Sequence, residues 1–194
     1  MKRQFLCNVV IAGTFIVTGC GGPKKPTQVE SPQMIEELSN APEWVLDPSV
    51  EGGIASVGSA KIGKAGIQFA RTEALANGRD EIARQITVKV KNLVKSFTQV
   101  TGIGDDQVVD KVSSQVSKQV SSEVITGSKQ KNLWISPSNE LFIFVVVDPG
   151  IIKEAVKNSV QSSYKNEKAL WQQFQAKKAH EELDKEIDKE FSGK

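Results

Sequence analysis

Apolar residues change their spacing several times along the chain, and each spacing predicts a different element. Residues 53–58, an apolar run bounded by glycines, predict a short strand. Between Ala65 and Ile86, apolar and small residues recur every three or four positions, which predicts an amphipathic helix. This stripe consists of Ile67, Ala70, Ala74, Leu75, Gly78, Ile82 and Ile86. Its small members would let a sheet approach the helix closely.

A period of two follows in residues 87–101. Valines alternate there with lysines, which predicts a strand with one solvated face. The valines are Val88, Val90 and Val94, and the lysines are Lys89, Lys91 and Lys95. Gly102 and Gly104 would end this strand.

The next segment places valines at every fourth position, which predicts a second helix. These valines are Val108, Val112, Val116 and Val120. Asp105 or Asp106 could cap the N-terminus of this helix. Because valine and serine are poor helix formers, a strand is the alternative.

Two consecutive segments predict a β-hairpin. Its strands would span residues 123–135 and 140–148, joined through Ser136-Pro137-Ser138-Asn139. Pro149-Gly150 would end the second strand, and a long helix would begin near Ile151. The order β-α-β-α-β-β-α predicts an α+β fold in which helices cover one face of a small, mostly antiparallel sheet.

The last helix becomes densely charged beyond Tyr164. We therefore expect a globular domain at residues 42–164 and a long, charged helical extension at residues 165–194. The apolar points of its final part are Ala179, Leu183 and Ile187, four residues apart. Two interpretations stay open, a solvated extension or a narrow seam that binds a partner helix.

The N-terminus has the organisation of a bacterial lipoprotein signal. Basic residues precede a short apolar run, and Val17-Thr18-Gly19-Cys20 is typical of a lipobox. We expect cleavage between Gly19 and Cys20, diacylglycerol on the cysteine thiol, and acylation of the freed amine. An ordinary signal peptide is the alternative, and the run is shorter than the ~20 residues that span a bilayer. Residues 20–41, rich in proline and glycine, would form a flexible tether.

This signal has consequences for location and composition. Two or more acyl chains anchor a protein stably, and Gly21 in place of aspartate favours the outer membrane, with its periplasmic or surface face left open. Cys7 leaves with residues 1–19, so the mature protein would have no free thiol. Lys2 and Arg3 leave as well, so that 23 of the 25 basic residues face 23 acidic ones. A neutral chain gives no argument for nucleic-acid binding.

Residues 58–64 match the glycines and lysine of a phosphate-binding loop, G-x-x-x-x-G-K, from Gly58 to Lys64. Asp148, after an apolar strand, could complete a nucleotide site. Three observations oppose this interpretation. Ala65 replaces the magnesium-binding serine or threonine, the aspartate follows a hairpin strand, and the lipobox implies a compartment without nucleoside triphosphates. Nucleotide binding is therefore a remote alternative.

The other reactive side chains predict structural roles. His180, the one histidine, lies in a charged run and is expected on a helix surface, without a metal or catalytic partner. Asp105 and Asp106 favour a helix cap over acid–base chemistry. The lysine stripe has no interleaved aromatic residues, which favours a solvated face over a nucleic-acid surface. Trp44 and Trp134 are expected as core anchors. We predict no enzyme activity and no small-molecule substrate.

Several segments share their order with a known family. They are Pro42-Glu43-Trp44-Val45, Val57-Gly58-Ser59-Ala60, Ala70-Arg71-Thr72-Glu73-Ala74, Ala83-Arg84-Gln85-Ile86, Trp134 and residues 142–147. Together, and beside a lipobox, they resemble the LPP20 lipoprotein family over about residues 42–148. The charged extension after Tyr164 departs from the family's pattern.

The resemblance implies a non-catalytic outer-membrane lipoprotein with a small α+β domain, whose first strand ends at Gly58. A flagellar branch of the family, FlgP, assembles into rings or disks beneath the outer membrane. We therefore expect a domain that self-associates as a homo-oligomer or docks to an envelope structure, without a cofactor beyond the lipid on Cys20. A flagellar or motility role, with a flagellar protein as partner, is the alternative.

Overall fold

The computed structural model describes residues 38–192, which form six helices and a three-stranded sheet. The elements are α1 (Glu43–Leu46), β1 (Ile54–Lys61), α2 (Ile67–Thr101), α3 (Asp106–Gly127), β2 (Lys129–Ile135), β3 (Glu140–Val147), α4 (Pro149–Lys165), α5 (Lys168–Ala176) and α6 (His180–Phe191). The predicted α+β class is confirmed. Within these residues no helix has the length and apolar character needed to cross a membrane.

The sheet is antiparallel, with β3 between β1 and β2. β1 and β3 pair along their whole length, from Ile54 opposite Val147 to Lys61 opposite Glu140. The predicted hairpin of β2 and β3 is present, but β2 begins at Lys129 because α3 continues to Gly127. Both β1 and β2 are therefore edge strands of this sheet.

The predicted strand at residues 87–101 is wrong, since α2 is one continuous helix of 35 residues. Val88 is 61% exposed whereas Val90 and Val94 are fully buried, so the three valines do not share a face. The buried positions of this segment keep helical spacing, at Ile86, Val90, Leu93, Val94 and Phe97. This half of α2 extends past the sheet and packs between α3 and α6, so tertiary contacts override the local alternation.

The first half of α2 packs closely on the sheet, as its small residues predict. Ala70, Ala74 and Gly78 are buried, and the hydroxyl of Ser56 on β1 donates a hydrogen bond of 2.7 Å to the Gly78 carbonyl. One face of the sheet meets α2. Its central residues on β3 are Leu141, Ile143, Val145 and Val147, all buried.

α3 is a helix, which decides the alternative left open by its sequence. The Asp105 carboxylate accepts a 2.9 Å hydrogen bond from the Val108 N–H, which confirms the predicted cap. Five valines of α3 are buried, at positions 109, 112, 116, 120 and 124. Their packing against α2 and α4 offsets the low helix propensity of valine.

The C-terminal residues fold back onto the domain, so the interpretation as a solvated extension is wrong. The chain turns after α4 and again after α5, and α6 packs against α2 and α4. Ala179, Leu183 and Ile187, the predicted apolar points, are buried together with Phe191. The predicted seam therefore exists, and the helices that it binds belong to the same chain.

Candidate interaction surface

The residues that match a phosphate-binding loop do not form one. Gly58 to Lys61 belong to β1, where they pair with β3. Gly58 lies in the middle of the strand instead of at its end, and a Cβ atom there would lie 1.9 Å from the Ala74 carbonyl oxygen. This glycine therefore permits the close contact between β1 and α2.

The aspartate and lysine of the remote nucleotide site lie at opposite ends of the sheet. Lys64 follows the end of β1 that pairs with Glu140, whereas Asp148 follows the end of β3 that pairs with Ile54. An eight-residue strand spans about 25 Å, too far for both side chains to contact one phosphate. The Asp148 carboxylate instead caps α4 by accepting a 2.8 Å hydrogen bond from the Gly150 N–H.

His180 is more enclosed than its charged neighbours suggest. Its ring meets the Phe174 ring edge-on, with 4.8 Å between centroids, and lies 6.1 Å from the Trp171 ring. Its Nδ1 lies 3.4 Å from Nε2 of Gln161. Among residues 38–192 no three His, Cys, Asp or Glu side chains come together as a metal site.

The three lysines of the predicted basic stripe point in different directions, because α2 is helical there. Lys89 donates a 2.8 Å hydrogen bond to the Glu190 carbonyl of α6. Lys91 makes a 3.3 Å ion pair with Asp110 of α3. Lys95 is exposed. The residues therefore do not build one cationic surface.

Two grooves on the helices have mixed linings. One of about 670 Å³ lies between α2 and α3, and five serines of α3 contribute to its wall. Another of about 490 Å³ lies between α3 and α4, beside the buried hydroxyl of Ser163. The titratable groups are Lys91, Asp110 and Lys118 in the first groove and Asp105, Lys111 and Glu167 in the second.

Trp44 and Trp134 lie on the outer face of the sheet, opposite α2, instead of in the main core. Trp44 of α1 stacks on Phe144 with 5.5 Å between ring centroids, and Trp134 contacts Phe142 at 5.3 Å. Both indoles are half-buried. The outer face is therefore aromatic, and α1 rests on it.

Two side chains of α2 cap carbonyls on the edge of β1. The Ile62 N–H donates to the Asn139 carbonyl next to β3, so by alternation the carbonyls of Ala55 and Ser59 point away from β3. Gln85 donates to the Ala55 carbonyl at 3.2 Å, and Asn77 donates to the Ser59 carbonyl at 2.9 Å.

The edge of β2 is open at its C-terminal half. The Ser136 N–H donates to the Glu140 carbonyl, so the N–H and C=O groups of Leu133 and Ile135 point away from β3. No strand of the described chain pairs with this edge. The side chains of Leu133 and Ile135 lie on the face of the sheet that α2 packs against. The helix does not cover them completely, and they are 40% and 38% exposed.

The first half of β2 has features that discourage pairing. Lys129 and Lys131 lie there, together with a shift of register between Gln130 and Asn132. Lysines and irregular register are common means by which proteins protect exposed edges. The accessible apolar edge is therefore reduced to residues 133–135.

The family model described as LPP20 lipoprotein matches residues 42–148, from the residue before α1 to the residue after β3. The chain belongs to the LPP20 lipoprotein family. This family membership indicates a lipoprotein. Helices α4 to α6 lie beyond the matched segment. No curated protein sequence matches the chain.

In this LPP20 protein, the sequence did not indicate that β2 carries the open edge. The segment KQKNLWI contains a signal, since its charges stop at Lys131 and three apolar residues follow Asn132. Whether such a segment lies at an edge depends on the strand order, which local patterns do not determine. The predicted lipidation site, Gly19 and Cys20, lies outside the described residues and stays a prediction.

Proposed function

We propose that this protein is an outer-membrane lipoprotein, anchored through lipid on Cys20, whose domain acts without catalysis by pairing with a second copy. The observation that carries the proposal is the open apolar edge at residues 133–135, in a sheet whose other edge has two carbonyls capped by side chains of α2. Pairing through β2 alone gives a closed dimer about a two-fold axis, whereas pairing through both edges would give a growing assembly.

A two-fold axis that passes between Trp134 of one copy and Trp134 of the other gives this edge a self-complementary register. Leu133 then lies opposite Ile135 of the second copy, and directly opposed residues share a face of the sheet. The exposed apolar side chains would cover each other on the α2 side. Lys129 and Lys131 would lie opposite the hairpin turn, away from the lysines of the second copy.

The mass of the protein in solution tests the pairing. The full mature chain with Cys20→Ser, which has no acyl chain, should sediment as a dimer at micromolar concentration. Leu133→Lys and Ile135→Lys should sediment as monomers, because each places a charge in the paired segment. Val100→Lys, at an apolar position of α2 that is 57% exposed, is the control and should remain dimeric.

Two outcomes would contradict this proposal. A wild-type monomer at every concentration would reject self-pairing and favour docking to an envelope protein. Equal loss of the dimer in Val100→Lys would show that the effect is not specific to β2.

Fractionation of cells tests the anchor. Labelled palmitate should enter the wild-type protein and remain with outer membranes, whereas Cys20→Ala should be unlabelled and leave the membrane fraction. Labelled protein in the inner membrane would overturn the outer-membrane assignment. In a deletion strain, lost swimming with an intact envelope would favour the flagellar alternative, and normal swimming would reject it.

A further inference from the structure

The outer face of the sheet and α1 form a surface with a distinct composition, which we call the α1 face. Its apolar side chains are Trp44, Leu46, Val57, Trp134, Phe142 and Val146. The long helix α2 and the helices that pack on it lie on the opposite side of the sheet.

Leu46 is the side chain of α1 that projects furthest from the sheet. Trp44 points toward the sheet, since its ring stacks on Phe144. Two residues along a helix correspond to a rotation of about 200°, so Leu46 points in nearly the opposite direction. It is 65% exposed, more than any other large apolar side chain among residues 38–192.

The chemistry of the α1 face fits the boundary between lipid headgroups and acyl chains. Half-buried indoles combine an apolar ring system with one polar N–H, and tryptophan is enriched at this boundary. Lys131 lies beside them, with its Nζ 5.9 Å from the centre of the Phe144 ring. A lysine there can lay its methylenes along apolar surface while its ammonium contacts phosphate.

The proposed anchor would hold the domain close to the membrane from the end that carries α1. Leu38, the first described residue, is close in sequence to α1, and eighteen positions separate it from Cys20. A chain of eighteen residues reaches at most about 60 Å. A short tether raises the effective concentration of the face at the leaflet to about millimolar, so a weak contact suffices.

We propose that the α1 face rests on the lipid surface of the leaflet that holds the anchor, with Leu46 and Trp44 nearest the acyl chains. This inference rests on the proposed lipid at Cys20. It adds an orientation, in which α1 faces the membrane and α2 with its helices faces away.

Tryptophan quenching by lipids tests this orientation. The chain has three tryptophans, and Trp171 of α5 is a matched control because it is also half-buried and stacks on a phenylalanine, Phe174. Three lipidated variants would each keep one tryptophan and carry phenylalanine at the other two positions. They would be placed in vesicles of phosphatidylethanolamine and phosphatidylglycerol, with and without bromine on the acyl chains.

Bromine should lower the emission of Trp44 about twofold, because interfacial side chains reach the acyl boundary, and should leave Trp171 unchanged. Leu46→Gln should reduce the quenching of Trp44. Val88→Gln, at a position 61% exposed on α2, should not. Neither Leu46→Gln nor Val88→Gln replaces a tryptophan, so the comparison of these two variants controls for altered folding.

Equal quenching of Trp44 and Trp171, or none in a protein whose mass shows lipid on Cys20, would overturn the orientation while leaving the anchor intact. A mass without lipid would overturn the proposed anchor and this inference with it. Loss of dimerisation alone would contradict neither the anchor nor the orientation, because Trp44 is not part of the β2 edge.

Discussion

At the scale of single residues, two glycines determine how closely the sheet approaches α2. A Cβ atom on Gly58 would lie 1.9 Å from the Ala74 oxygen, and one on Gly78 would lie 2.7 Å from a methyl of Val145. The first contact is with backbone, which cannot move aside without shifting the helix. The glycine that begins the G-x-x-x-x-G-K match is therefore required by packing.

The two glycines of that match should respond differently to substitution. Gly58→Ala should lower the free energy of unfolding by about 1–3 kcal/mol or more, because overpacking forces the backbone to shift. Gly63→Ala should change it by less than about 0.5 kcal/mol, since its Cβ would meet nothing within 4 Å. Urea unfolding measures both. Equal losses, or a rise in Tm with nucleoside triphosphate, would favour the phosphate loop instead.

Tyr164, the one tyrosine, carries a second property that can be tested. Its hydroxyl and those of Thr98 and Ser163 are buried without a hydrogen-bond partner of normal geometry among the described residues. Burial raises the pKa of Tyr164 above its ordinary value of 10.0, and the neighbouring Thr98 hydroxyl offsets part of the rise. The folded protein therefore holds the tyrosine proton more tightly than the unfolded chain does.

Alkaline pH should destabilise the protein through this group. Well below pH 10 both states are protonated and the group's contribution is constant; as the pH approaches and passes 10, the unfolded chain ionises first and stability falls. Ultraviolet titration should show tyrosinate only above pH 10 in the folded state. Tyr164→Phe should be neutral or stabilising by about 1 kcal/mol at pH 7, because it removes an unpartnered hydroxyl. A tyrosinate signal below pH 10 in folded protein would contradict this account.

At the scale of elements, α6 links the C-terminal segment to the rest of the molecule. Its buried side chains pack against α2 and α4, and two ion pairs of 2.7 Å join α4 to it. These pairs are Lys153 with Asp188 and Lys157 with Asp184. Exposed ion pairs contribute little, so burial of the apolar residues accounts for most of the stabilisation.

Truncation of one buried side chain in α6 should measure that contribution. Leu183→Ala should destabilise by about 2–5 kcal/mol, since the leucine is fully buried. Lys185→Ala, two residues further along the helix at a position whose side chain is 70% exposed, should change stability by less than about 0.5 kcal/mol. Unfolding by urea or heat compares them. Similar small effects in both variants would indicate that α6 is only loosely attached.

Elements with one clear period were predictable from sequence, and those whose identity depends on neighbours were not. Asp105 and the valines of α3 predict their helix because cap and spacing agree. Residues 87–101 alternate over a short window, and only their packing between α3 and α6 reveals a helix. The apolar points of α6 predict a seam, but sequence alone does not say that the partner helices lie in the same chain.

The candidate site also has one part that the sequence predicts and one part that depends on the fold. A local motif marks Cys20, whereas the open edge of β2 results from strand order, and two amide side chains, Asn77 and Gln85, cap carbonyls of the other edge. Those residues lie 18 and 30 positions from the carbonyls that they contact. No local pattern in β2 contains that information.

At the scale of the whole molecule, the pairing proposed for β2 predicts a crosslink. The mature chain would have no free thiol, so Trp134→Cys introduces the one available. About the proposed axis two such residues face each other, within the 4.4–6.8 Å between Cα atoms that a disulfide typically spans. Oxidation should give a covalent dimer on a non-reducing gel.

Asn132→Cys is the matched control, since residue 132 lies on the same face of the same strand. Its counterpart would be about 13 Å further along the pair, beyond the reach of a disulfide. Crosslinking through 132 but not 134 would shift the register, and crosslinking through neither would argue against the dimer.

The placement of α1 and α2 on opposite faces of the sheet limits how two copies can be oriented. The axis of an antiparallel strand pair is perpendicular to the sheet, so a dimer would carry both α1 helices on one side. Both chains would then descend toward the same leaflet. Such a dimer would join neighbours within one membrane and would not bridge two membranes, and its formation would depend on the surface density of the protein.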